Sequence, residues 1–203
     1  MAPSVGAVVL CGGQSSRMGR PKAWLPFAGE FMLPRVVRLL SEAVSPIIVV
    51  AAPEQDVPPL PEGVGLVRDE ERGRGPLQGL AAGLAALRGR ADAAYLSSCD
   101  VPFVRPAFVR RLIDLLENYA ICVPRVGDHH HPLAAVYRID VIDAVQRLLS
   151  ENRLRPFFLF DTVPTRVVEA TELADVDPTF ESLRNLNAPQ EYEAALREVE
   201  GSG

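Results

Sequence analysis

Val5-Gly6-Ala7-Val8-Val9-Leu10-Cys11-Gly12-Gly13-Gln14-Ser15-Ser16-Arg17-Met18-Gly19-Arg20-Pro21-Lys22 joins a short valine-rich run to a segment of glycine, serine and basic residues. Val5–Leu10 is apolar and is stopped by two glycines, so it predicts a buried β-strand with a loop at its carboxyl end. That loop holds what a polyphosphate needs. Gly12 and Gly13 lack a Cβ, which lets backbone N–H groups close on an anion. Ser15 and Ser16 add hydroxyl donors. Arg17 brings a planar charged fork and Lys22 a compact ammonium. Of the 21 basic residues, Lys22 is the only lysine, in keeping with an ammonium set among phosphate oxygens. The spacing is not that of the common P-loop, which ends in Gly-Lys-Ser/Thr, nor of the dinucleotide fingerprint.

The rest of the chain sets bounds on this reading. Its 203 residues are enough for one well-buried domain, and 48% hydrophobic and 23% charged residues are ordinary for a globular protein. A net charge of -5 gives no reason to expect nucleic-acid binding. No apolar run approaches the roughly 20 residues of a membrane span, and no export signal stands out, so neither a membrane nor a nucleic-acid partner is expected and the cytoplasm is the default location. Cys11, Cys99 and Cys122 are odd in number and widely spaced, which argues against a disulfide framework or a structural zinc site.

Working outward from the first strand, apolar residues at helical spacing predict helices over 32–43, 76–87, 106–117, 140–149 and 189–200, with a further helical segment over 155–160. Strands are predicted at 47–50, 64–67, from 93, and at 120–123, 132–137 and 165–168. Residues 52–63 read as a proline-rich connection and 70–75 as a mobile loop. Alternating strands and helices imply an α/β fold, with a mostly parallel central sheet covered by helices on both faces. Residues 1–200 read as one domain, with 201–203 as a loose tail.

In such sheets ligands bind at the carboxyl ends of strands. Asp100 follows a predicted strand and precedes Val101-Pro102. There it reads equally as a turn aspartate and as a ligand for Mg²⁺, which favours carboxylate and phosphate oxygens. Asp69, beside Glu70 and Glu71, reads on its own as a solvated loop residue. Its carboxylate could nonetheless accept both hydrogens from the N1–H and N2–H₂ edge of guanine. His129-His130-His131 makes a weak metal cluster, because neighbouring side chains of an extended segment point apart. Asn185 and Asn187 would face one way in an extended segment, with helix capping as the plain alternative for Asn187.

Leu-x-Gly-Gly-x-Ser-x-Arg-Met-Gly-x-x-Lys, read from Leu10 to Lys22, resembles the signature of the nucleotidyltransferases. Within that group the chain most resembles the molybdenum cofactor guanylyltransferases. It shares the Cys99-Asp100-Val101-Pro102 segment, Gly75-Pro76-Leu77-Gln78-Gly79, His131-Pro132 and Asn185-Leu186-Asn187. It departs from the family pattern at Cys11, where alanine is usual, and at Ala188, where threonine is usual. The resemblance implies a nucleotide-diphospho-sugar-transferase type of fold and transfer of GMP from GTP to the phosphate of molybdopterin. It implies Arg17, Lys22 and Asp100 as catalytic residues, with Mg²⁺ as cofactor on Asp100. GTP would be held by Leu10, Cys11, Gly12, Gly13, Ser15, Lys22, Asp69, Gly79 and Asp100, with Gly79 leaving room for the base. The pterin would be held by His131, Asn185 and Asn187, so that the amino-terminal half serves the nucleotide and the carboxyl-terminal half the pterin. Partners would be GTP and molybdopterin, together with proteins that deliver the cofactor or mature molybdoenzymes. Transfer from CTP, a sugar-phosphate acceptor, and a nucleotide-binding regulator without turnover remain as alternatives.

Overall fold

β1 (Val5–Leu10) is buried at every position, as its unbroken apolar sequence requires of a strand covered on both faces. In the computed structural model, residues 3–12, 21–69 and 73–201 are described. Gly13, Ser15, Ser16 and Arg17, and residues 70–72 of the expected mobile loop, lie outside them. After β1 come two-residue strands β2 (Pro26–Phe27) and β3 (Glu30–Phe31), then α1 (Met32–Ser41), β4 (Ile47–Ala51), β5 (Gly65–Arg68) and α2 (Gly75–Leu87). β6 (Ala93–Ser98), α3 (Pro106–Asp114), β7 (Ile121–Val126), β8 (His129–His130) and β9 (Ala135–Arg138) follow. α4 (Ile142–Ser150), β10 (Thr165–Glu169) and α5 (Pro189–Glu200) complete the order.

The main sheet runs β10-β7-β9-β6-β1-β4-β5, with β8 paired to β7. β1 pairs in parallel with β4 (Leu10 opposite Val50) and with β6 (Leu10 opposite Ser98). The expected mostly parallel sheet is therefore present, with β9 running antiparallel to both β6 and β7. The segment expected as a strand over 132–137 begins instead as a 3₁₀ turn, Pro132–Ala134, and becomes strand only at Ala135. Pro132 has no N–H to give to a ladder, so extended pairing starts after it. The helical segment expected at 155–160 is likewise a 3₁₀ turn, Pro156–Leu159.

Helices cover both faces. α1 and α3 place Leu33, Val36, Leu40, Phe108 and Leu112 against Val9, Val49 and Tyr95. α2 and α4 place Leu80, Leu84, Val145 and Leu148 against Val8, Ile48 and Leu96. Gly83 allows α2 its close approach, since a Cβ there would lie 2.3 Å from Val8 Cγ1. A third, smaller core gathers Leu25, Phe27, Met32, Leu186 and Ala195, so the β2–β3 hairpin is packed against α5. Among the described residues, no helix is long and apolar enough to cross a membrane.

Candidate active site

That small core explains how distant segments meet. Lys22 lies in a 3₁₀ turn, Lys22–Trp24, directly before Leu25 and Phe27, which pack with Leu186. The Tyr192 hydroxyl of α5 donates to the Pro26 carbonyl. Leu186 N–H donates to the Asp100 carbonyl at 2.9 Å, tying the segment before α5 to the end of β6. With Leu186 wholly buried, the asparagines on either side face the opposite way. The α5 entrance is capped by Glu191, whose carboxylate accepts the N–H groups of Asn187 (2.7 Å) and Ala188 (3.0 Å). Asn187 therefore keeps its side chain for other work.

These segments converge on Asp100, which is only 7% exposed. Its Oδ1 accepts from Ser98 Oγ at 2.5 Å and from Asn185 Nδ2 at 2.9 Å. Its Oδ2 accepts from Lys22 Nζ at 2.6 Å, and Lys22 also donates to Asn187 Oδ1 at 2.7 Å. Lys22, Asp100, Asn185 and Asn187, all singled out from the sequence, thus form one cluster. Ser98 was not singled out, although strand alternation puts it on the same side as Asp100.

One further residue escaped the sequence reading. Asp177 is fully buried, accepts the N–H groups of Glu181 (3.1 Å) and Ser182 (2.8 Å), and ion-pairs with Arg105 Nε at 3.3 Å. It fixes the turn that leads into Asn185. Its only sequence signal is the Asp-Pro step at 177–178, a common turn start.

The other predicted residues lie along the same edge of the sheet. Gly12 is exposed just beyond β1, and Cys11 is buried at the strand end, its carbonyl accepting from Gln55 Nε2 at 2.9 Å. Asp69 follows β5, its N–H donating to the Ala51 carbonyl at 2.8 Å. Three strand spacings separate β5 from β6, roughly 14 Å. His131 lies on the other side, where its N–H donates to the Pro124 carbonyl of β7 at 2.9 Å. That is two spacings from β6, about 10 Å. Burial, with His129 and His130 nearby, holds the His131 pKa below its ordinary value.

Gly79, expected to leave room for the base, faces the core on the side where its Cβ would stand. A Cβ there would meet Leu10 Cδ2 at 2.8 Å, so the space left by the missing side chain is filled by Leu10 rather than open to a base. The Leu10 side chain accordingly faces α2 and the core. The cysteines, widely spaced in sequence, are also partly brought together. The neighbouring Cys99 thiol lowers the Cys11 pKa most; the Gln55 amide and the Arg68 charge act in the same direction against burial. The same neighbour and burial raise the pKa of Cys99.

Comparison with known proteins gives the chain its family. A family model described as the MobA-like NTP transferase domain matches residues 7–165. A probable molybdenum cofactor guanylyltransferase of Pelotomaculum thermopropionicum is 34% identical over 199 residues, covering 96% of this chain and 93% of that protein. The chain belongs to the MobA-like NTP transferase family. Another relative, a probable molybdenum cofactor guanylyltransferase of Mycobacterium avium, is 39% identical over 149 residues, covering 70% of this chain and 74% of its own. The fold of this family member is shared with molybdopterin-guanine dinucleotide biosynthesis protein A of Archaeoglobus fulgidus, at a TM-score of 0.79 and 20% identity over 97% of this chain and 99% of that one. It is shared too with a Mycobacterium tuberculosis protein solved in complex with manganese, at a TM-score of 0.67 and 20% identity over 96% and 98% of the two chains.

A divalent ion can neutralise phosphate charge in nucleotidyl transfer, and the donors here suit one. Asp100 Oδ2 and Asn187 Oδ1 converge on the Lys22 ammonium within 2.7 Å, so the cluster already seats a cation between oxygens. Oxygen donors are what hard divalent ions take. Among the described residues no group of three or more His, Cys, Asp or Glu could hold a metal. An ion at Asp100 would thus complete its shell with water and substrate phosphate, as Mg²⁺ commonly does.

Proposed function

We propose that the protein transfers GMP from GTP to the terminal phosphate of molybdopterin, forming the guanine dinucleotide cofactor and releasing pyrophosphate. The observation that carries this reading is the Lys22–Asp100–Asn185–Asn187 cluster at the carboxyl ends of β1 and β6, in a chain of this family.

GTP lies along the edge from β5 to β6, its triphosphate over the loop that begins at Gly12. Gly13, Ser15 and Arg17 supply donors there, and Asp69 accepts the N1–H and N2–H₂ edge of guanine. Lys22 turns from Asp100 to the phosphates as they arrive, and Arg17 shares their charge. Asp100 holds Mg²⁺ when it is bound, and the ion supplies charge neutralisation at the phosphate under attack. Ser98 and Asn185 fix Oδ1, which leaves Oδ2 as the oxygen facing that seat. Asn185, Asn187 and His131 orient molybdopterin so that its phosphate oxygen meets the α-phosphorus in line with the departing pyrophosphate. A phosphate monoester is already anionic near neutral pH, so the protein needs no general base. Its contribution is positioning and charge stabilisation.

The test is incubation with GTP, Mg²⁺ and molybdopterin, followed by mass spectrometry of the products. The guanine dinucleotide of the pterin, with pyrophosphate in equal amount, is the expected result. Intact GTP and pterin, under conditions where both bind, would refute the reading.

A further inference from the structure

Besides the cluster around Asp100, β1 and β6 bring two thiols together at the base of the phosphate loop. Leu10 stands opposite Ser98, and Cys99 N–H continues the ladder by donating to the Leu10 carbonyl at 3.0 Å. One position on, Cys11 stands opposite Cys99. Alternation puts both side chains on the same face, in the core that also holds Val9 and Tyr95. The Gln55 amide reaches Cys11 Sγ at 3.4 Å. Neighbouring strands lie about 4.8 Å apart, inside the Cα separation that a disulfide spans. Both cysteines are free thiols in this structure.

We propose that Cys11 and Cys99 are a redox pair that a peroxide converts into a Cys11–Cys99 disulfide, and that the oxidised protein binds GTP more weakly. Cys11 is the attacking sulfur, since the Gln55 amide donates to it and so favours the thiolate. Its sulfur attacks one peroxide oxygen, the O–O bond breaks, and Cys11 sulfenic acid and water form. The Cys99 sulfur then displaces that oxygen as a second water. Two thiols and one peroxide thus give one disulfide and two waters, each sulfur giving up one electron to the peroxide. Closing the bond draws together the two strand ends from which Gly12 and Asp100 continue, so the strain falls on those two residues. The effect on GTP rests on the proposed function; the pairing of the cysteines does not.

Reduced protein treated with hydrogen peroxide should yield, on digestion without reductant, one peptide linking Cys11 to Cys99. Dithiothreitol should release it. Cys122 should remain a thiol, because it lies in β7, two strands away from β6 and out of reach of the other two sulfurs. In Cys99→Ser, which lacks the second thiol, dimedone should trap a sulfenic acid on Cys11. Over-oxidation of Cys11 with Cys99 still reduced, or survival of both thiols at a peroxide dose that fully oxidises an added free thiol, would overturn the pairing. The oxidised protein should bind GTP about tenfold or more weakly, a loss of about 1.4 kcal/mol. Equal affinity of the two forms would overturn the switch. GTP failing to bind the reduced protein would instead overturn the nucleotide reading and the switch that depends on it, while the linked peptide still decides the pairing.

Discussion

Replacing Gly83 by alanine puts a methyl carbon 2.3 Å from Val8 Cγ1 and 2.5 Å from Cγ2. Val8 is wholly buried, is laddered to β4 and β6, and as a β-branched residue has little rotamer freedom with which to move aside. Ordinary contact begins at 3.4 Å, so α2 must retreat from the sheet by about an ångström. Overpacking costs about 1–3 kcal/mol, and exchanging Gly for Ala inside a helix returns ~1 kcal/mol. With the clash at its upper end, because the strand is fixed, the net loss is about 2 kcal/mol. For a chain of 203 residues this lowers Tm by roughly 4–8 °C. Gly79→Ala is the internal control. Its nearest atom, Leu10 Cδ2 at 2.8 Å, is the end of a flexible side chain. The helix gain should offset most of that cost and keep Tm within about 2 °C of the parent. Calorimetric melting of both variants decides the matter. If Gly83→Ala melts with the parent, or if both fall equally, the close approach of α2 at Val8 is not what these glycines serve.

Asp100→Asn keeps the shape of the side chain and removes its charge. It should cut pyrophosphate release by about 10²-fold or more while Tm is retained, and near-normal turnover would remove Asp100 from the chemistry. Asp69→Ala should weaken discrimination of GTP from CTP, read as the ratio of the two Kd values by calorimetry; an unchanged ratio would place base reading elsewhere. Asp177→Ala leaves the Glu181 and Ser182 N–H groups without their acceptor and should cost about 1–3 kcal/mol in denaturant melts, with a parental midpoint as the contrary result. Burial lowers the His131 pKa from 6.5, so between the lowered value and 6.5 the unfolded chain binds a proton that the folded chain does not. Stability should therefore rise with pH across that window and level off above it, and His131→Gln should flatten the rise when Tm is followed against pH.

The sequence carried the elements whose signal is continuous. β1 and β4 are unbroken apolar runs, and α2 carries its proline at the first turn. Lys22, Asp100, Asn185 and Asn187 were legible because each sits in a recognisable block at a strand end or helix entrance. The β2–β3 hairpin was not, because two-residue strands show no periodicity. Nor was the direction of β9, since four residues, Ala135–Arg138, read the same parallel or antiparallel. Asp177 has its partners in Arg105 and in backbone N–H groups, and neither kind of contact leaves a pattern along the chain. The meeting of Cys11 with Cys99 depends on which strands are neighbours, which only the sheet order reveals.

The reversed strand β9 has a consequence for how this edge can change over time. Because it runs against β6 and β7, it brings its beginning to the edge where they bring their ends, between Asp100 and His131. Its backbone is laddered on both sides, so it stands as a fixed partition. Insertions or exchanges in the histidine turn beyond it can therefore be accepted without shifting the Lys22–Asp100–Asn187 cluster on its other side. A lineage built on this sheet is therefore free to vary one side of the partition while the other keeps its form.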